Sequence, residues 1–509
     1  MADGKSKNTI NKLPDHVISS IVALMTIKDA VYTSMISHQW KDSWKHPILS
    51  RPNLEFDIPN IFGTKLYGQL FNEFGDKYIH RFGQFEGKVF VGRVNEFLKL
   101  YHGKKVDSFK VSFPLDGVYN AVLDKWILFA IRKGAQVLDL QLLCCGLLET
   151  NFFYVFPHWF LSGSLKHLSL LRCVLRPPPD FARFNELTTL SLNNVIIDEE
   201  FVAHLSSVCL CLTRLTLREC SVGSCLILGD PLLCLTELKV LQCSDLAKLE
   251  IHCKNITSLE YEGLAETSYI KTKCLARIFW SDRSFNDSSL HALTQLASCP
   301  GLECLHLRLW FSVEEIPENV QTFTNLKQLH LDLFSPHLNV SGVLVIIKAA
   351  PLLEEFVLMV RASIHNEVRS IRRKMSILAR FSHLCLRKVK IHGFQGRWYE
   401  IELAICILKI AKKMEIMVID PIGKYYAGVG EWKDMNDSRY SYEEEAVVQV
   451  EEAVGEARED TEAMEVEEAV KKAEAVDETG DKDGWEERGR AFVEKNLRQV
   501  MTDAQVIVL

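Results

Sequence analysis

The stretch LKHLSLLRCVL, residues 165–175, decides the fold. Leucines stand at its first, fourth and sixth positions and a cysteine at its ninth, so it has the form L-x-x-L-x-L-x-x-C-x-L. Alternate residues of its first half are apolar, which indicates a short strand with one buried side. The pattern therefore predicts a strand that is followed by a turn, in which the small residue at position nine faces buried backbone groups.

The same frame recurs along the middle of the chain. Full copies begin at Val137, Leu187, Leu212 and Leu235, and shorter copies at Leu302, Leu326, Leu353 and, more weakly, Leu386. The full copies start 22 to 28 residues apart, which is the period of leucine-rich repeats. We expect an α/β fold: a curved solenoid with a parallel sheet on its concave side and helical segments such as DEEFVAHLSSVC, 198–209, between the strands.

The cysteines fit this frame and do not indicate chemistry. Cys145, Cys173, Cys220 and Cys243 fall on the ninth position of their copies. The chain has 15 cysteines and no Cys-x-x-Cys, so we expect buried free thiols, neither disulfides nor a zinc site, and a reducing compartment, cytoplasmic and/or nuclear. The 16 histidines lack ligand spacing and no phosphate-binding glycine loop occurs, so no catalytic residue, metal or cofactor is expected.

The start of the chain predicts three short helices with more apolar surface than they can bury among themselves. In LPDHVISSI, residues 13–21, Pro14 suits the first turn of a helix and Asp15 its positive end. Thr26 is placed to cap a second helix, and Trp40 and Trp44 stand one turn apart on a third. A unit of this size cannot form an adequate core alone.

This stretch, continued through VALMTIKDAVYTSMISHQWKDSW, resembles the F-box, which we place at 10–50. The resemblance implies that a Skp-type adaptor covers the surplus apolar surface and links the chain to a cullin ubiquitin ligase. It assigns these residues to adaptor binding: Leu13, Pro14, Val17, Ile18, Ile21, Val31, Ser34, Trp40 and Trp44. Two other interpretations stay open, a helical lead-in to the repeats and a DNA-reading helix-turn-helix.

The resemblance to plant F-box proteins with leucine-rich repeats extends to about residue 421. A connecting segment spans 51–105 and the repeats 106–380, and 381–421 is similar to the FBD segment that closes many members of that family. We expect this segment to form a strand, a glycine turn, a helix buried through Ile401, Ala404, Ile405 and Leu408, and a second strand. In this interpretation it caps the open end of the repeats.

The charge of the chain is divided unevenly. Residues 443–483 hold 17 acidic and 4 basic residues, a net −13, whereas the chain as a whole carries −7. We therefore expect an acidic flexible linker over 422–484 and a C-terminal segment, 485–509, that docks on the body through AQVIVL. No membrane span is expected, because charge or proline interrupts every long apolar stretch, and no secretory signal is expected, because the start MADGKSKNTINK has no apolar core.

The sequence thus indicates a non-catalytic substrate receptor of a ubiquitin ligase, with a protein target and no nucleic-acid or membrane partner. The competing class is a repeat scaffold outside any ligase; a receptor for a small ligand is a third. Outward strand positions mix Arg, Lys and His with few acids, which favours an acidic or hydroxyl-rich ligand. These candidate residues are His167, Ser169, Thr189, Ser191, Arg214, Thr216, Arg218, Glu237, Lys239, His306, Arg308, Gln328 and His330.

Overall fold

A computed structural model gives the architecture of the chain. It describes residues 13–35, 40–64, 76–115, 117–143, 153–161, 163–177, 184–197, 205, 209–229, 232–264, 267–282, 288–309, 320–334, 340–361, 381–394, 398–420, 422–428, 431–434 and 505–508. The chain divides into two compact units, Met1–Cys274 and Leu275–Leu509.

The first unit contains helices at its start and strands along the rest of its length. Its described helices are α1 (Asp15–Ala23), α2 (Ile27–Thr33), α3 (Lys45–Leu49), α4 (Ile58–Phe62), α5 (Asp76–Leu100) and α6 (Asn120–Arg132), with 3-10 turns at Gly117–Tyr119 and His158–Phe160. Its strands are β1 (Asn53–Asp57), β2 (Ser108–Ser112), β3 (Val137–Gln141), β4 (Tyr154–Val155), β5 (His167–Leu171), β6 (Cys173–Leu175), β7 (Thr189–Asn193), β8 (Ile196–Ile197), β9 (Arg214–Arg218), β10 (Cys225–Leu228), β11 (Glu237–Leu241), β12 (Lys248–Ile251), β13 (Ser258–Gly263) and β14 (Thr267–Ile270).

One parallel sheet runs through this unit in the order β1-β2-β3-β5-β7-β9-β11-β13. The frame leucines of neighbouring repeats stand side by side in it, as Leu168, Leu190, Leu215 and Leu238 do. All four are buried, because alternate residues of a strand point to the same side. The other residues of each strand form a second, outward side, which we call the strand face. The α/β fold class and the parallel sheet expected from the repeats are confirmed.

The turn after each strand has the same backbone conformation from repeat to repeat. Arg172, Asn194, Glu219 and Gln242 have φ between 49° and 59°, the left-handed region that side chains other than glycine rarely adopt. Each lies one residue before the ninth position of its repeat. Its N–H donates to a backbone carbonyl of the next strand along the sheet, at 2.6–3.0 Å. These bonds hold the unusual conformation in place.

The connections between the strands of the first unit differ in part from expectation. Two small parallel sheets, β4-β6-β8 and β10-β12-β14, are formed by the return segments of the repeats. Leu226 and Leu228 of β10 are buried, an alternation typical of a strand. Of the helix expected over 198–209, only Leu205 and Cys209 lie within the described residues, and both are buried.

The frame assigned to Val137 is wrong by two residues. Val137 pairs with His167 in the sheet, so the copy starts at Ala135 and its ninth position is Leu143. The sequence LDLQLL allows two overlapping leucine frames, which explains the error. Cys145 therefore does not belong to the cysteine series, and it lies outside the described residues.

The second unit continues the pattern of one strand per repeat with helices between strands. Its described elements are β15 (Arg277–Asp282), α7 (Ser288–Ala297), β16 (Cys304–Leu309), β17 (Gln328–Phe334), α8 (Val340–Lys348), β18 (Glu355–Arg361), β19 (Lys388–His392), α9 (Trp398–Ile410), β20 (Ile416–Asp420), β21 (Lys424–Gly428), β22 (Glu431–Asp434) and β23 (Gln505–Val508). Strands β15 to β20 form a parallel sheet in chain order, and β21 and β22 form an antiparallel hairpin.

The end of the second unit contains the strand, glycine turn, helix and strand expected over 381–421. Gly393 has φ +71°, and a Cβ there would lie 2.4 Å from the carbonyl oxygen of Val360. Helix α9 is buried through Leu403, Ala404, Ile407 and Ile410. Of the face expected to be buried, Ala404 is confirmed, Ile405 and Leu408 are only half-buried, and the side chain of Ile401 lies outside the described residues. The C-terminal β23 pairs in parallel with β20 and lies at the edge of the sheet that this segment was expected to cap.

Two absences concern the described part of the chain only. There, no helix combines the length and the apolar character that crossing a membrane requires. In the same residues, no cluster of three or more His, Cys, Asp or Glu side chains could hold a metal ion. The flexible linker expected over 422–484 is wrong at its start, where β21 and β22 form a hairpin, and its acidic stretch 443–483 lies outside the described residues.

Candidate functional site

The first candidate surface is formed by helices α1 to α3. Helix α1 follows Pro14, whose carbonyl accepts hydrogen bonds from the N–H groups of Val17 and Ile18 at 2.9 and 3.1 Å. Thr26 caps α2 as expected, since its hydroxyl oxygen accepts the N–H of Asp29 at 3.1 Å. The sequence features at both starts therefore fix where the two helices begin.

Part of the apolar surface of these helices is covered by the chain itself. Helix α1 packs on α3 and α2 packs on α4, and Ile18 is only 1% exposed. The ammonium of Lys28 donates to the carbonyl of Phe62, which ties α2 to the end of α4. Trp40 is also buried. Because Ile18 and Trp40 are buried, the role predicted for them at an adaptor interface is one of support and not of direct contact.

Other apolar side chains of this region remain on the surface. Leu24, at the end of α1, is 91% exposed, and Met35, just after α2, is 76% exposed; Tyr32 is exposed between them in sequence. The sequence analysis did not select these three. For Leu24 and Met35 the signal is that they continue the apolar spacing past the ends of short helices, and Tyr32 lies in the last turn of α2.

The residues assigned to adaptor binding fall into three groups by exposure. Ile18 and Trp40 are buried, as described above. Pro14 and Val31 are exposed. The remaining members are half-buried: Leu13, Val17, Ile21, Ser34 and Trp44. A surface of half-buried and exposed apolar side chains is what a docking helix face requires.

An aromatic core fixes the next two helices, α4 and α5, to the start of the repeat sheet. Phe90 of α5 stacks on Phe113, which follows β2, at 4.0 Å between ring centroids, and Phe62 of α4 stacks on Phe113 at 6.0 Å. The indole N–H of Trp126 donates to Asn95 at 2.8 Å. Because buried aromatic contacts of this kind resist rearrangement, the helices have a fixed position on the first repeats.

The second candidate surface is the strand face of the first unit. The register places His167, Thr189, Arg214 and Glu237 in one row across β5, β7, β9 and β11. A parallel row contains Ser169, Ser191, Thr216 and Lys239, and Arg218 lies beyond it. The structure thus brings together nine of the thirteen candidate ligand residues, all of them at least partly exposed.

The strand face of the second unit differs, because its outward side chains are largely buried. His306 and Arg308 are 5% and 4% exposed, so the exposure expected for them is wrong. Arg308 donates to the buried carboxylate of Asp332 at 3.0 Å and lies over the ring of Phe279 at 5.3 Å. Outward apolar residues such as Phe279 and Met359 signal this burial in the sequence, and the leucine frame alone does not.

Gln328 and His330 lie beside these buried residues. Gln328 is exposed, and its amide donates to Glu355 at 3.5 Å. Burial lowers the pKa of His330 to about 4, the carboxylate of Glu355 acts in the opposite direction, and the ammonium of Lys390 adds to the lowering. That ammonium also donates to Glu355 at 2.8 Å and keeps the pKa of this carboxyl low although burial alone would raise it. This surface is a structural network of paired groups.

Two family models match the sequence. The model described as "At1g61320/AtMIF1, LRR domain" matches residues 97–471, about three quarters of the chain, and the model described as "F-box domain" matches residues 10–51. Neither description names an enzyme.

Curated relatives carry matching names. The chain is 20% identical over 453 residues to "Putative FBD-associated F-box protein At1g61330" of Arabidopsis thaliana, which covers 82% of this chain and 92% of that protein. It is 26% identical over 219 residues to "F-box protein At5g03100" of the same plant, 43% of this chain and 58% of the relative. It is also 26% identical over 214 residues to "F-box/FBD/LRR-repeat protein At1g13570" of Arabidopsis thaliana, 42% of this chain and 45% of the relative. The last two alignments therefore span about half the length of those relatives.

Proposed function

The chain belongs to the plant family of F-box proteins with leucine-rich repeats, and on that basis we propose that it is the substrate-recognition subunit of an SCF-type cullin E3 ubiquitin ligase. In this role the F-box binds a Skp-type adaptor, and the adaptor links the chain to a cullin. The repeats bind the target protein through the strand face of the first unit. The chain does no chemistry itself.

One observation carries the proposal: the F-box match coincides with a helical surface that leaves Leu24, Tyr32 and Met35 exposed. Exposed large apolar side chains grouped within twelve residues are typical of a protein-binding surface. Helix α2 packs on α4, which aromatic contacts join to the first repeats, and a fixed position of this kind supports the presentation of a bound target to the ligase.

The proposed location is the cytoplasm or nucleus. The cysteines that the structure describes are all free thiols, and Cys173, Cys220, Cys243 and Cys253 are among the buried ones. Unpaired buried thiols are typical of proteins in reducing compartments.

Co-precipitation from a native plant extract with the proteasome blocked tests the proposal. The full-length chain is expected to bring down a Skp-type adaptor and a cullin, and a variant with Leu13→Ala and Pro14→Ala to bring down neither. Equal amounts of adaptor with the variant would contradict the assigned residues. Complete absence of adaptor and cullin with the unaltered chain would instead favour the alternative, a repeat scaffold that acts outside any ubiquitin ligase.

A further inference from the structure

The strand face of the first unit differs in charge between its middle and its two sides. We call the outward residues of β5, β7 and β9 the central strip. These three strands are described in full, and their outward positions hold two arginines, a histidine, a leucine and five small hydroxyl or amide groups but no carboxylate. All the acids of this face belong to the strands on either side.

The charges on those neighbouring strands satisfy one another. Lys110 of β2 lies 3.1 Å from Glu55 of β1 and 3.8 Å from Asp139 of β3. On the other side, Lys239 of β11 lies 3.0 Å from Glu260 of β13. Because carboxylates lie beside these ammonium groups, their positive charge is largely offset and attracts an acidic ligand only weakly.

The two arginines of the central strip are in a different situation. The side chain of Arg214 is 60% exposed, and its Nε lies 3.6 Å from a carboxylate oxygen of Glu237, which is farther than the two lysines lie from their nearest carboxylates. Arg218 is exposed, and no described residue forms an ion pair with it. Both point to the same side of β9, four residues and therefore about 13 Å apart along the strand.

The space between the arginines is lined by hydroxyl groups. Ser169, Ser191 and Thr216 stand in one row across the three strands, which spans about 10 Å. The oxygen of Ser169 accepts a hydrogen bond from Gln141 at 3.0 Å, which leaves its O–H to donate. Small donors beside two guanidinium groups offer hydrogen bonds to carboxylate oxygens and let a ligand backbone come close to the sheet.

The charge of Arg214 also acts within the strip. The pKa of His167, two strands away in the same row, is lowered first by burial and then by the positive charges of Arg214 and Lys166. The strip is thus an electropositive region of the face, and it favours a ligand of negative charge.

We propose that the central strip binds an extended segment of a partner protein that carries several Asp or Glu side chains. Arginines about 13 Å apart along one strand can each contact a different acidic side chain, whereas a single phosphate would require both to reach the same point. This spacing favours a ligand with several separated carboxylates over a ligand with one phosphate. The identification of this segment with the target of the ligase rests on the proposed function. The binding itself does not depend on the adaptor.

Fluorescence anisotropy of a labelled decapeptide of alternating Glu and Ala, titrated with the full-length chain, tests this proposal. The unaltered chain is expected to bind the Glu and Ala peptide and not to bind the matching Gln and Ala peptide. Its affinity for the Glu and Ala peptide should fall as the salt concentration rises. The double variant Arg214→Gln and Arg218→Gln should bind at least about tenfold more weakly, since two charge-assisted contacts are lost. The control Lys248→Gln removes an exposed positive charge from β12 of the small sheet and should leave the affinity unchanged.

Three results would overturn the proposal: no binding of the Glu peptide by the unaltered chain, equal loss in the control and the double variant, or much tighter binding of a peptide with a single phosphoserine. The assay contains no adaptor. If the chain binds the peptide but co-precipitates no adaptor, the acidic-segment site is supported and the ligase role is rejected. If it co-precipitates the adaptor but does not bind the peptide, the ligase role is supported and the acidic-segment site is rejected.

Discussion

The hydroxyl of Thr213 donates a hydrogen bond of 2.8 Å to the backbone carbonyl of Thr188, one repeat earlier in the chain. The same bond joins Thr188 to Lys166 at 3.0 Å, Thr236 to Thr213 at 3.1 Å and Thr257 to Thr236 at 3.2 Å. Each threonine stands two residues before the first frame leucine inside the strand. A ladder of threonine hydroxyls therefore connects consecutive repeats at the start of their strands.

We predict that Thr213→Val lowers the free energy of unfolding by about 1 kcal/mol, the net contribution of one hydrogen bond. Valine has nearly the shape of threonine and lacks the donor. Thr213→Ser keeps the donor and is the matched control. Urea unfolding of both variants measures the difference, and a valine variant as stable as the unaltered chain would show that the hydroxyl bond makes no net contribution here.

The cysteine turn gives a second prediction. The thiol of Cys220 is buried, donates to the carbonyls of Arg218 at 3.2 Å and Leu192 at 3.3 Å, and has a pKa that burial raises to about 12. Cys220→Asn should be tolerated because asparagine also donates in this turn, whereas Cys220→Leu should cost about 1–3 kcal/mol through overpacking. Denaturant unfolding compares the two. Rapid labelling of this thiol in the native chain would be evidence against a buried structural role.

The left-handed turn residues give a third prediction. Glu219 has φ 50° and an exposed side chain, so a substitution there tests the backbone with little effect on packing. Glu219→Val should destabilise the chain by about 1–2 kcal/mol, because a β-branched residue clashes in this region. Glu219→Gly should be close to neutral. Thermal unfolding separates them, and equal melting temperatures for the two variants would contradict the conformation.

The pH dependence of stability gives a fourth prediction. The pKa of His330 is about 4 in the folded chain, below the value of about 6.5 in an unfolded one. The unfolded state therefore binds a proton that the folded state does not, and stability falls as pH drops from about 6.5 towards 4, by up to about 1.4 kcal/mol per pH unit from this group. His330→Gln should flatten the curve in that window. Urea unfolding at several pH values measures the free energy of unfolding in both chains. The same pH dependence in the His330→Gln variant and in the unaltered chain would show that His330 does not cause it.

Much of the fold could be predicted because its interactions are local and periodic. All nine copies of the leucine frame contain a strand, including the weak copy at Leu386, since each buries its leucines in the same way. The strands β13 and β15 were missed because Tyr261 and Trp280 occupy buried positions where the frame expects leucine. Strand β1 was missed inside the segment interpreted as a connection. A frame that accepts any large apolar residue would have found β13 and β15.

The candidate site could be predicted less well, because exposure depends on neighbours that are distant in sequence. Arg308 has the pattern of a surface residue, yet Asp332 and Phe279 from adjacent strands enclose it. Ile18 has the pattern of a docking residue, yet the packing of α1 on α3 buries it. Leu24 and Met35 are the opposite case: they are apolar and fit the buried spacing of their helices, yet they are exposed because they lie just past the helix ends.

The measurement that tests the central claim most directly is calorimetric titration of a purified Skp-type adaptor into the full-length chain. We predict a one-to-one complex that the double variant Leu24→Glu and Met35→Glu weakens by about a hundredfold or more, because charge is introduced into an apolar contact. The control Leu384→Glu alters an exposed leucine of the second unit and should bind as the unaltered chain does. No heat of binding with the unaltered chain, or equal affinity in the double variant, would contradict the assignment of this surface to the adaptor.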